Sequence, residues 1–304
     1  IPGTEEDYEC DTLLLSCGLI PENEISRCGI AALNKYRVKT DNIPVGGDRI
    51  GIFYCEKGAS QRPSKVIYDR MNTGFTTCKT EDYDWEKIFD GAGYFHFTGI
   101  TPALGESVAA VCLDACKMAK ECGITVSCDL NYRKNLWTTE QAKATMERLL
   151  EYVDILIANE EDAEKVLGIS APDTDVTAGK LNKEGYVSVA KQTCRKYGIP
   201  TVAITLRQSI SASDNNWSGM LYTNDTAYFS REYAVHLVDR VGGGDSFGAG
   251  LIFAIGHGFE PQKCIDYAVA ASCLKQTMEW DVNLSTEKEI MTLVNGDGSG
   301  RVQR

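Results

Sequence analysis

The segment 239–250, DRVGGGDSFGAG, contains three consecutive glycines and then an aspartate. A β-branched and aromatic run at 233–238 precedes it, and an apolar stretch with helical periodicity follows at 246–256. The predicted order is therefore strand, glycine turn and helix. The first N–H groups of a helix lack intrahelical acceptors, and glycines let a phosphate approach them because no Cβ intervenes. The glycine turn is therefore predicted to form an anion hole.

Asp245 stands at the mouth of this predicted anion hole. A carboxylate there would repel a resting phosphate, so its presence needs a reason. One reason is that it accepts the proton of an attacking hydroxyl during phosphoryl transfer. The alternative is structural, because aspartate is an ordinary residue of a first helical turn. A dinucleotide site is disfavoured, since its fingerprint needs a second strand with an acidic end about 20 residues on. Here Pro261 and a second helical pattern, 262–278, follow instead.

Polar side chains also follow two strand-like runs, 125–128 and 154–158. They are Asp129, Asn131, Arg133, Asn159 and Asp162. Hard oxygen ligands beside a phosphate site indicate Mg²⁺, and an arginine can pair with a carboxylate or a phosphate. The alternatives are helix N-caps for Asn159 and Asp162, and a solvated loop for Arg133.

Strand-like and helical runs alternate along the chain. The predicted strands lie at 94–98, 125–128, 154–158 and 201–205, and the predicted helices at 104–122, 139–152, 160–167 and 186–197. This alternation predicts an α/β fold with a mostly parallel central sheet and helices on both faces. Ligands bind such sheets at the carboxyl ends of the strands, where the glycine turn and the polar clusters lie. The segment 173–183 is predicted to be a long loop.

One segment departs from this alternation. Short strands are predicted at 47–56 and 65–69, joined by the loop 58–63, GASQRP. We expect a small antiparallel β lid at 44–78, inserted in a single domain that spans 1–304. An edge hairpin without a functional role is the alternative.

Composition limits the partners and the compartment. A net charge of −12 disfavours nucleic acid and anionic membranes as main partners. The 12 cysteines include no CxxC pair, which favours buried thiols in a reducing cytoplasm. The 3 histidines are isolated in sequence, which disfavours a Cys/His metal site. The acidic residues at the start of this sequence are not expected to form a signal peptide.

These motifs resemble those of the ribokinase, or PfkB-type, carbohydrate kinase family. The family signature D-x-x-G-A-G-D stands at 239–245 as DRVGGGD, and its N-x-x-E stands at 159–162 as NEED. Within the family, GIFY at 51–54, RPSKVIYDR at 62–70 and DLNYRKNLW at 129–137 are most similar to kinases of 2-keto-3-deoxygluconate. The similarity extends from about residue 21 to residue 304.

The resemblance implies a ribokinase-like core of about nine strands. It also implies a lid that packs on the lid of a second subunit in a homodimer or larger homo-oligomer. The implied reaction is ATP-dependent phosphorylation of the 6-hydroxyl of the sugar acid 2-keto-3-deoxygluconate, with Mg²⁺ and, in some relatives, K⁺. The alternatives are a kinase of a neutral ketose or pentose, and a non-catalytic relative that binds a sugar or a nucleotide.

The resemblance also assigns roles to individual residues. It implies that catalysis depends on Asp245 as general base, on Arg133 and on the anion-hole residues Gly242, Gly243 and Gly244. The sugar acid would be held by Tyr54, Tyr68, Arg70, Arg133 and Asp245. The nucleotide would be held by Thr205, Arg207, Gly242, Gly244 and Ala271. Mg²⁺ would be organised, through water, by Asn159 and Asp162, and a monovalent cation by the backbone near Asp239 and Val241.

Three departures from the family pattern stand out. The family's leading strand and Gly-Gly-x-x-x-Asn segment have no counterpart before Cys10, so we expect the N-terminal strand or strands to be missing and 11–18 to be a later strand. Asp162 replaces the usual glutamate. Arg207 replaces a glycine of the nucleotide loop, where it could meet ATP phosphates or Asp214.

Overall fold

The computed structural model describes residues 12–13, 24–159, 161–170, 183–296 and 298. In this part of the chain the strands are β1 Thr12–Leu13, β2 Ile52–Glu56, β3 Lys65–Asp69, β4 Tyr94–Thr98, β5 Thr125–Asp129, β6 Ile155–Asn159, β7 Thr201–Ser209, β8 Asp214–Thr223, β9 Thr226–Phe229 and β10 Tyr233–His236. The α-helices are α1 Glu24–Lys35, α2 Trp85–Phe89, α3 Glu106–Glu121, α4 Thr139–Leu150, α5 Asp162–Leu167, α6 Lys183–Tyr197, α7 Gly243–Gly256, α8 Pro261–Gln276 and α9 Glu287–Val294.

The central sheet is mostly parallel, as predicted. Among the described residues it has eight strands, in the order β1-β4-β5-β6-β7-β8-β10, with β9 also paired to β8. The strands from β1 to β7 in this order run parallel, and β8 is antiparallel to β7, β9 and β10. Neither β8 nor β9 was predicted from the sequence.

Helices cover both faces of the sheet. Successive side chains of β6 show this, because they belong alternately to the core on each face. Leu156 and Ala158 belong to the core beneath α2 to α6, whereas Ile155 and Ile157 belong to the core beneath α7 to α9. A strand that is apolar at every position has to be buried on both faces. The β/α alternation of the sequence therefore produces the predicted layered fold.

The predicted lid hairpin is confirmed, although its first strand begins at Ile52 rather than at residue 47. The strands β2 and β3 pair antiparallel with Phe53 opposite Tyr68, and both are exposed along their whole length. The tip of the hairpin contacts the turn between β7 and β8. There Ala212 N–H donates to Ser60 O at 2.7 Å, and Ser60 N–H donates to Ser213 Oγ at 2.9 Å. The lid is thus held at its tip as well as at its base.

Some predictions fall partly outside the described residues. Of the strand expected at 11–18, the structure describes only Thr12–Leu13, which pairs parallel with β4. Of the loop expected at 173–183, only residue 183 is described, and α6 begins there. Most of the described cysteines are buried free thiols. No described helix is both long enough and apolar enough to span a membrane.

Candidate active site

A cavity of 480 Å³ lies where the parallel strands end, between the lid and the start of α7. Most of the predicted site residues line it: Tyr68, Arg70, Arg133, Asn159, Thr205, Arg207, Val241, Gly242, Gly243, Gly244 and Asp245. The predicted residues Tyr54, Asp162, Asp239 and Ala271 do not. The topology therefore brings together side chains that are far apart in sequence, as the positions of the strand ends predicted.

The glycine turn has the geometry of an anion hole. Gly242 has a left-handed backbone with φ +79°, and a Cβ on it would lie 2.0 Å from the carbonyl oxygen of Asp281. Gly243 N–H donates to Arg240 O at 3.2 Å, and Ser246 N–H donates to Gly242 O at 2.9 Å. The N–H groups between them, in the first turn of α7, have no intrahelical acceptor. A Cβ on Gly244 would meet nothing within 4 Å, so the approach to these donors is open.

The end of α8 holds this turn in place. Ser272 Oγ donates to Gly243 O at 2.7 Å, and the carbonyl oxygen of Gln276 accepts from the N–H groups of Val238 and Asp239 at 2.9 and 3.3 Å. The helices α7 and α8 approach closely because Gly250 faces Ala268 and Ala271. Ala271, expected at the nucleotide, is buried in that contact, and its carbonyl oxygen accepts from Asn283 Nδ2 at 3.1 Å.

Asp245 is exposed at the start of α7 and shares the cavity with a second carboxylate, Asp129. Burial, together with the neighbouring charges of Asp162 and Asp245, raises the pKa of Asp129 to about 8, although Arg133 opposes this shift. The sequence placed Asp129 among the hard oxygen ligands that indicate Mg²⁺, but the family resemblance assigned it no role of its own. The carbonyl oxygen of Asp129 accepts Gly99 N–H at 2.8 Å, which ties the ends of β4 and β5 together.

Asn159 and Asp162 each accept a hydrogen bond from the other's backbone in the turn that leads into α5, whose N-cap residue is Glu161. Asn159 Oδ1 accepts the N–H groups of Glu161 and Asp162 at 2.8 and 3.0 Å. The Asp162 carboxylate accepts from Tyr132 N–H at 3.2 Å and Asn159 N–H at 3.4 Å. Burial raises the pKa of Asp162 to about 6, against the effect of these hydrogen bonds. Asp162 lines a neighbouring cavity, and Asn159 lines both cavities.

The oxygen atoms near Asn159 fit a divalent cation that retains several of its water ligands. The amide of Asn159 and the carboxyl groups of Asp129, Asp162 and Asp245 supply oxygens, and the repulsion of Asp129 by Asp162 and Asp245 favours a nearby cation. The described residues contain no cluster of three or more acidic, histidine or cysteine side chains spaced to bind a metal directly. Waters and phosphate oxygens would therefore complete the coordination of Mg²⁺.

Four arginines give the cavity a cationic lining in a chain of net charge −12: Arg70, Arg133, Arg207 and Arg240. The Arg70 guanidinium lies over the Tyr68 ring, 4.2 Å from its centroid. Burial lowers the pKa of Arg70, and Arg133 lowers it further. Burial also lowers the pKa of Arg240, as does the nearby charge of Arg207. Guanidinium groups held this close repel one another, so the cavity favours an anionic ligand.

The structure corrects the expected position of Tyr54. In the lid, Tyr54 lies opposite Ile67, whereas Phe53 lies opposite Tyr68. Successive side chains of a strand point to opposite faces, and Phe53, Val66 and Tyr68 line the cavity. Tyr54 is on the other face and is 62% exposed. Phe53 therefore takes the place at the cavity that was expected of Tyr54.

The residues expected at a monovalent cation have other partners. The Asp239 carboxylate pairs with Lys57 at 2.8 Å and accepts Val241 N–H at 3.1 Å. The carbonyl oxygen of Asp239 accepts a hydrogen bond from Lys275 Nζ at 3.2 Å. An ammonium at this distance repels a second cation at the same carbonyl oxygen, so the Asp239 carbonyl disfavours K⁺.

Comparison with known proteins identifies the family. The profile of the pfkB family carbohydrate kinases matches residues 17–279. The chain belongs to this family. It is thus a carbohydrate kinase, and the family and fold predicted from the motifs are confirmed.

Individual relatives agree with this assignment. A crystal structure of 2-dehydro-3-deoxygluconokinase from Thermotoga maritima is 51% identical, with a TM-score of 0.88 over 92% of this chain and 83% of that one. The 2-dehydro-3-deoxygalactonokinase of Haloferax volcanii is 28% identical over 252 residues, 83% of this chain and 72% of its own. A fructokinase structure from Xylella fastidiosa with bound ATP is 16% identical, with a TM-score of 0.69 over 92% and 84%, and shares the fold.

Proposed function

We propose that this kinase transfers the γ-phosphoryl group of ATP to the 6-hydroxyl of 2-keto-3-deoxygluconate, which is also named 2-dehydro-3-deoxygluconate. One observation carries the proposal. The two arginines Arg70 and Arg133 line the same cavity as Asp245 and the anion hole. A cationic sugar site and a phosphoryl-transfer site would thus share one cavity.

The arginines favour an acid over a neutral sugar. A carboxylate that enters a closing site loses its hydration and has to be neutralised there. Arg70 and Arg133 can supply charge-assisted hydrogen bonds to it, and the Tyr68 phenol lies beside Arg70. A neutral ketose carries no charge for the two guanidinium groups to neutralise and gains less from them than a carboxylate does. The relative from T. maritima, named for the gluco sugar acid, supports the same choice.

The chain's own groups divide the reaction between them. Asp245 accepts the proton of the 6-hydroxyl as that oxygen attacks phosphorus. The first N–H groups of α7 hold the transferring phosphoryl group, and the helix dipole stabilises its charge. Arg133 neutralises charge between the sugar acid and the phosphoryl group, while Thr205 and Arg207 lie on the nucleotide side. Mg²⁺, organised through water by Asn159 and Asp162, supplies charge neutralisation at the phosphate oxygens when bound.

Release of ADP measured over a panel of sugars tests the substrate. The panel contains 2-keto-3-deoxygluconate, its galacto epimer, fructose and ribose. We expect the highest kcat/KM with a sugar acid. Higher kcat/KM with fructose or ribose would favour the neutral-sugar alternative. The galacto epimer belongs in the panel because the H. volcanii relative is named for it.

Substitution of Asp245 tests the mechanism. Asp245→Asn should lower kcat by about 10²- to 10⁴-fold, the usual cost of losing a general base, while calorimetry still detects nucleotide binding. Asp114→Asn, on α3 and outside the cavity, is the matched control. Near-normal kcat in Asp245→Asn would show that another group accepts the proton. Absence of turnover with every sugar in the unsubstituted protein would favour a non-catalytic relative.

A further inference from the structure

A fully buried lysine lies behind the anion hole. Lys275, in the last turn of α8, has 0% relative exposure. Its Nζ donates to the carbonyl oxygen of Asp239 at 3.2 Å. Lysine is almost never fully buried without a partner, because removing an ammonium from water costs several kcal/mol. The proposed mechanism gives this side chain no role, so its burial calls for another explanation.

The position of Lys275 connects it to the anion hole. Asp239 lies three residues before Gly242, the left-handed residue that leads into α7. On either side of Lys275 in the helical turn, Ser272 and Gln276 make their own hydrogen bonds to this segment. Three side-chain or backbone groups at the end of α8 thus hold residues 238–243. Of these three groups at the end of α8, Lys275 is the one that brings a full positive charge to the segment.

Two carboxylates lie near the buried ammonium of Lys275. Burial lowers the pKa of Lys275 and the nearby Lys57 lowers it further, whereas the charges of Asp239 and Asp281 oppose this shift and favour the charged form. Asp281 also supplies the carbonyl oxygen that closes against Gly242. The ammonium therefore lies among the backbone and acidic groups that shape the anion hole.

This arrangement explains why the Asp239 carbonyl disfavours K⁺. Proteins coordinate K⁺ with backbone carbonyl oxygens, and the family resemblance placed such a cation at the backbone near Asp239 and Val241. Here the ammonium of Lys275 occupies that carbonyl. We propose that Lys275 is a positioning residue whose tethered ammonium replaces a free monovalent cation at the anion-hole loop, so that turnover needs no K⁺. The inference rests on the proposed use of the anion hole in phosphoryl transfer, and it does not depend on which sugar is used.

The test compares monovalent ions in the unsubstituted protein and in variants of Lys275. Turnover is measured in KCl, in NH₄Cl and in tetramethylammonium chloride at equal ionic strength. ADP is quantified by chromatography, so that no coupling enzyme adds its own ion requirement. We expect the unsubstituted protein to be equally active in all three salts. Strong activation by K⁺ would overturn the proposal.

The variants separate charge from packing. In tetramethylammonium chloride, Lys275→Ala should lose about tenfold or more in kcat, as expected when a hydrogen bond from a charged donor is removed. K⁺ or NH₄⁺ should restore much of this loss, because the truncated side chain leaves space for an ion. Lys275→Met fills the space without a charge and should lose activity without rescue. Lys263→Ala, in the first turn of the same helix, is the matched control and should behave like the unsubstituted protein.

A second readout does not depend on activity. The thermal unfolding temperature of Lys275→Ala should rise in KCl relative to tetramethylammonium chloride, whereas that of the unsubstituted protein should not. Full activity of Lys275→Ala without K⁺, or a loss that neither ion reverses in turnover or in unfolding, would overturn the proposal. If Lys275→Ala does not fold, turnover of the unsubstituted protein in the three salts still tests the proposal, because strong activation by K⁺ overturns it. Should no sugar be phosphorylated, the proposed function fails, and unfolding still tests the ion site.

Discussion

Lys57 of the lid and Asp239 of the anion-hole loop form an ion pair, with Nζ 2.8 Å from Oδ2. Burial alone would raise the pKa of Asp239, but the hydrogen bonds from Lys57 and from Val241 N–H hold it below its usual value. The lid tip is also bonded to the turn between β7 and β8 through Ser60. The position of the lid is therefore coupled to the segment that leads into the anion hole.

Loss of this ion pair should affect substrate binding more than folding. Lys57 is 53% exposed, so water weakens its pairing, although Asp239 is only 7% exposed; Lys57→Met should therefore lower the unfolding temperature modestly. The KM for the sugar should rise several-fold, because the lid spends less time over the cavity. Steady-state kinetics and thermal unfolding measure the two effects. Lys65→Met, on the other lid strand, is the control. An equal rise in the KM of this variant would show that the Lys57–Asp239 ion pair does not itself determine sugar binding.

Arg70 should determine the preference for an acid. Arg70→Ala should lower kcat/KM for the sugar acid by about 10- to 150-fold, which corresponds to about 1.5–3 kcal/mol for a lost charge-assisted hydrogen bond. A neutral ketose that is also turned over should lose far less. Arg62→Ala, at the lid tip and paired with Glu56, is the matched control. Equal losses on both substrates would make Arg70 a structural residue of the lid.

The parts of the site that follow strand ends could be predicted from the sequence. Parallel strands bring their carboxyl ends to one edge, so Arg133, Asn159 and the glycine turn had to meet there. The order strand, turn, helix also fixed where Asp245 lies relative to the anion hole. The confirmed family and fold rest on these same motifs.

Other features depend on tertiary contacts that cannot be predicted from the local sequence pattern. Alternation of side chains with a period of two identifies a strand, but it does not show which face of the strand lines the cavity. Tyr54 was therefore expected where Phe53 lies. Lys275 lies within a stretch predicted to be helical, but a lysine is normally exposed, and its partner Asp239 is 36 residues away. Ala271 was placed at the nucleotide by resemblance, and the close contact of α7 with α8 buries it.

His96, which joins β4 to β5, should make the free energy of unfolding depend on pH. Its Nδ1 lies 2.8 Å from Ser127 Oγ, and burial lowers its pKa from 6.5 to about 4. The unfolded chain binds a proton near pH 6.5, whereas the folded protein does so only near pH 4. The stability is therefore complete above pH 6.5 and is lost as the pH falls toward 4, by up to about 3 kcal/mol.

Denaturant unfolding as a function of pH measures this effect. His96→Asn keeps a side chain that can bond to Ser127 but cannot titrate. The difference in unfolding free energy between the unsubstituted protein and this variant should shrink or reverse as the pH falls from 6.5 to 4. A difference that stays constant over this range would show that His96 is accessible to protons in the folded protein.

The outer face of the lid should form a contact between two subunits. Ile52, Tyr54 and Ile67 lie on the face that does not line the cavity, with exposed fractions of 41%, 62% and 55%. Exposed apolar surface and open strand edges both favour association. A symmetric contact between two lids covers this surface and closes at two subunits. We therefore expect a homodimer in which each lid is ordered before the sugar binds.

Substitutions on the two faces of the lid separate assembly from sugar binding. The double variant Tyr54→Ser/Ile67→Ser should sediment as a monomer, with a higher KM for the sugar because its lid is less ordered. Phe53→Ser, on the face that lines the cavity, should also raise KM but should remain a dimer, since Phe53 points away from the contact. Sedimentation velocity at the assay concentration distinguishes the two outcomes. A dimer that survives the double substitution would place the subunit contact elsewhere, and a fully active monomer would show that the lid needs no partner.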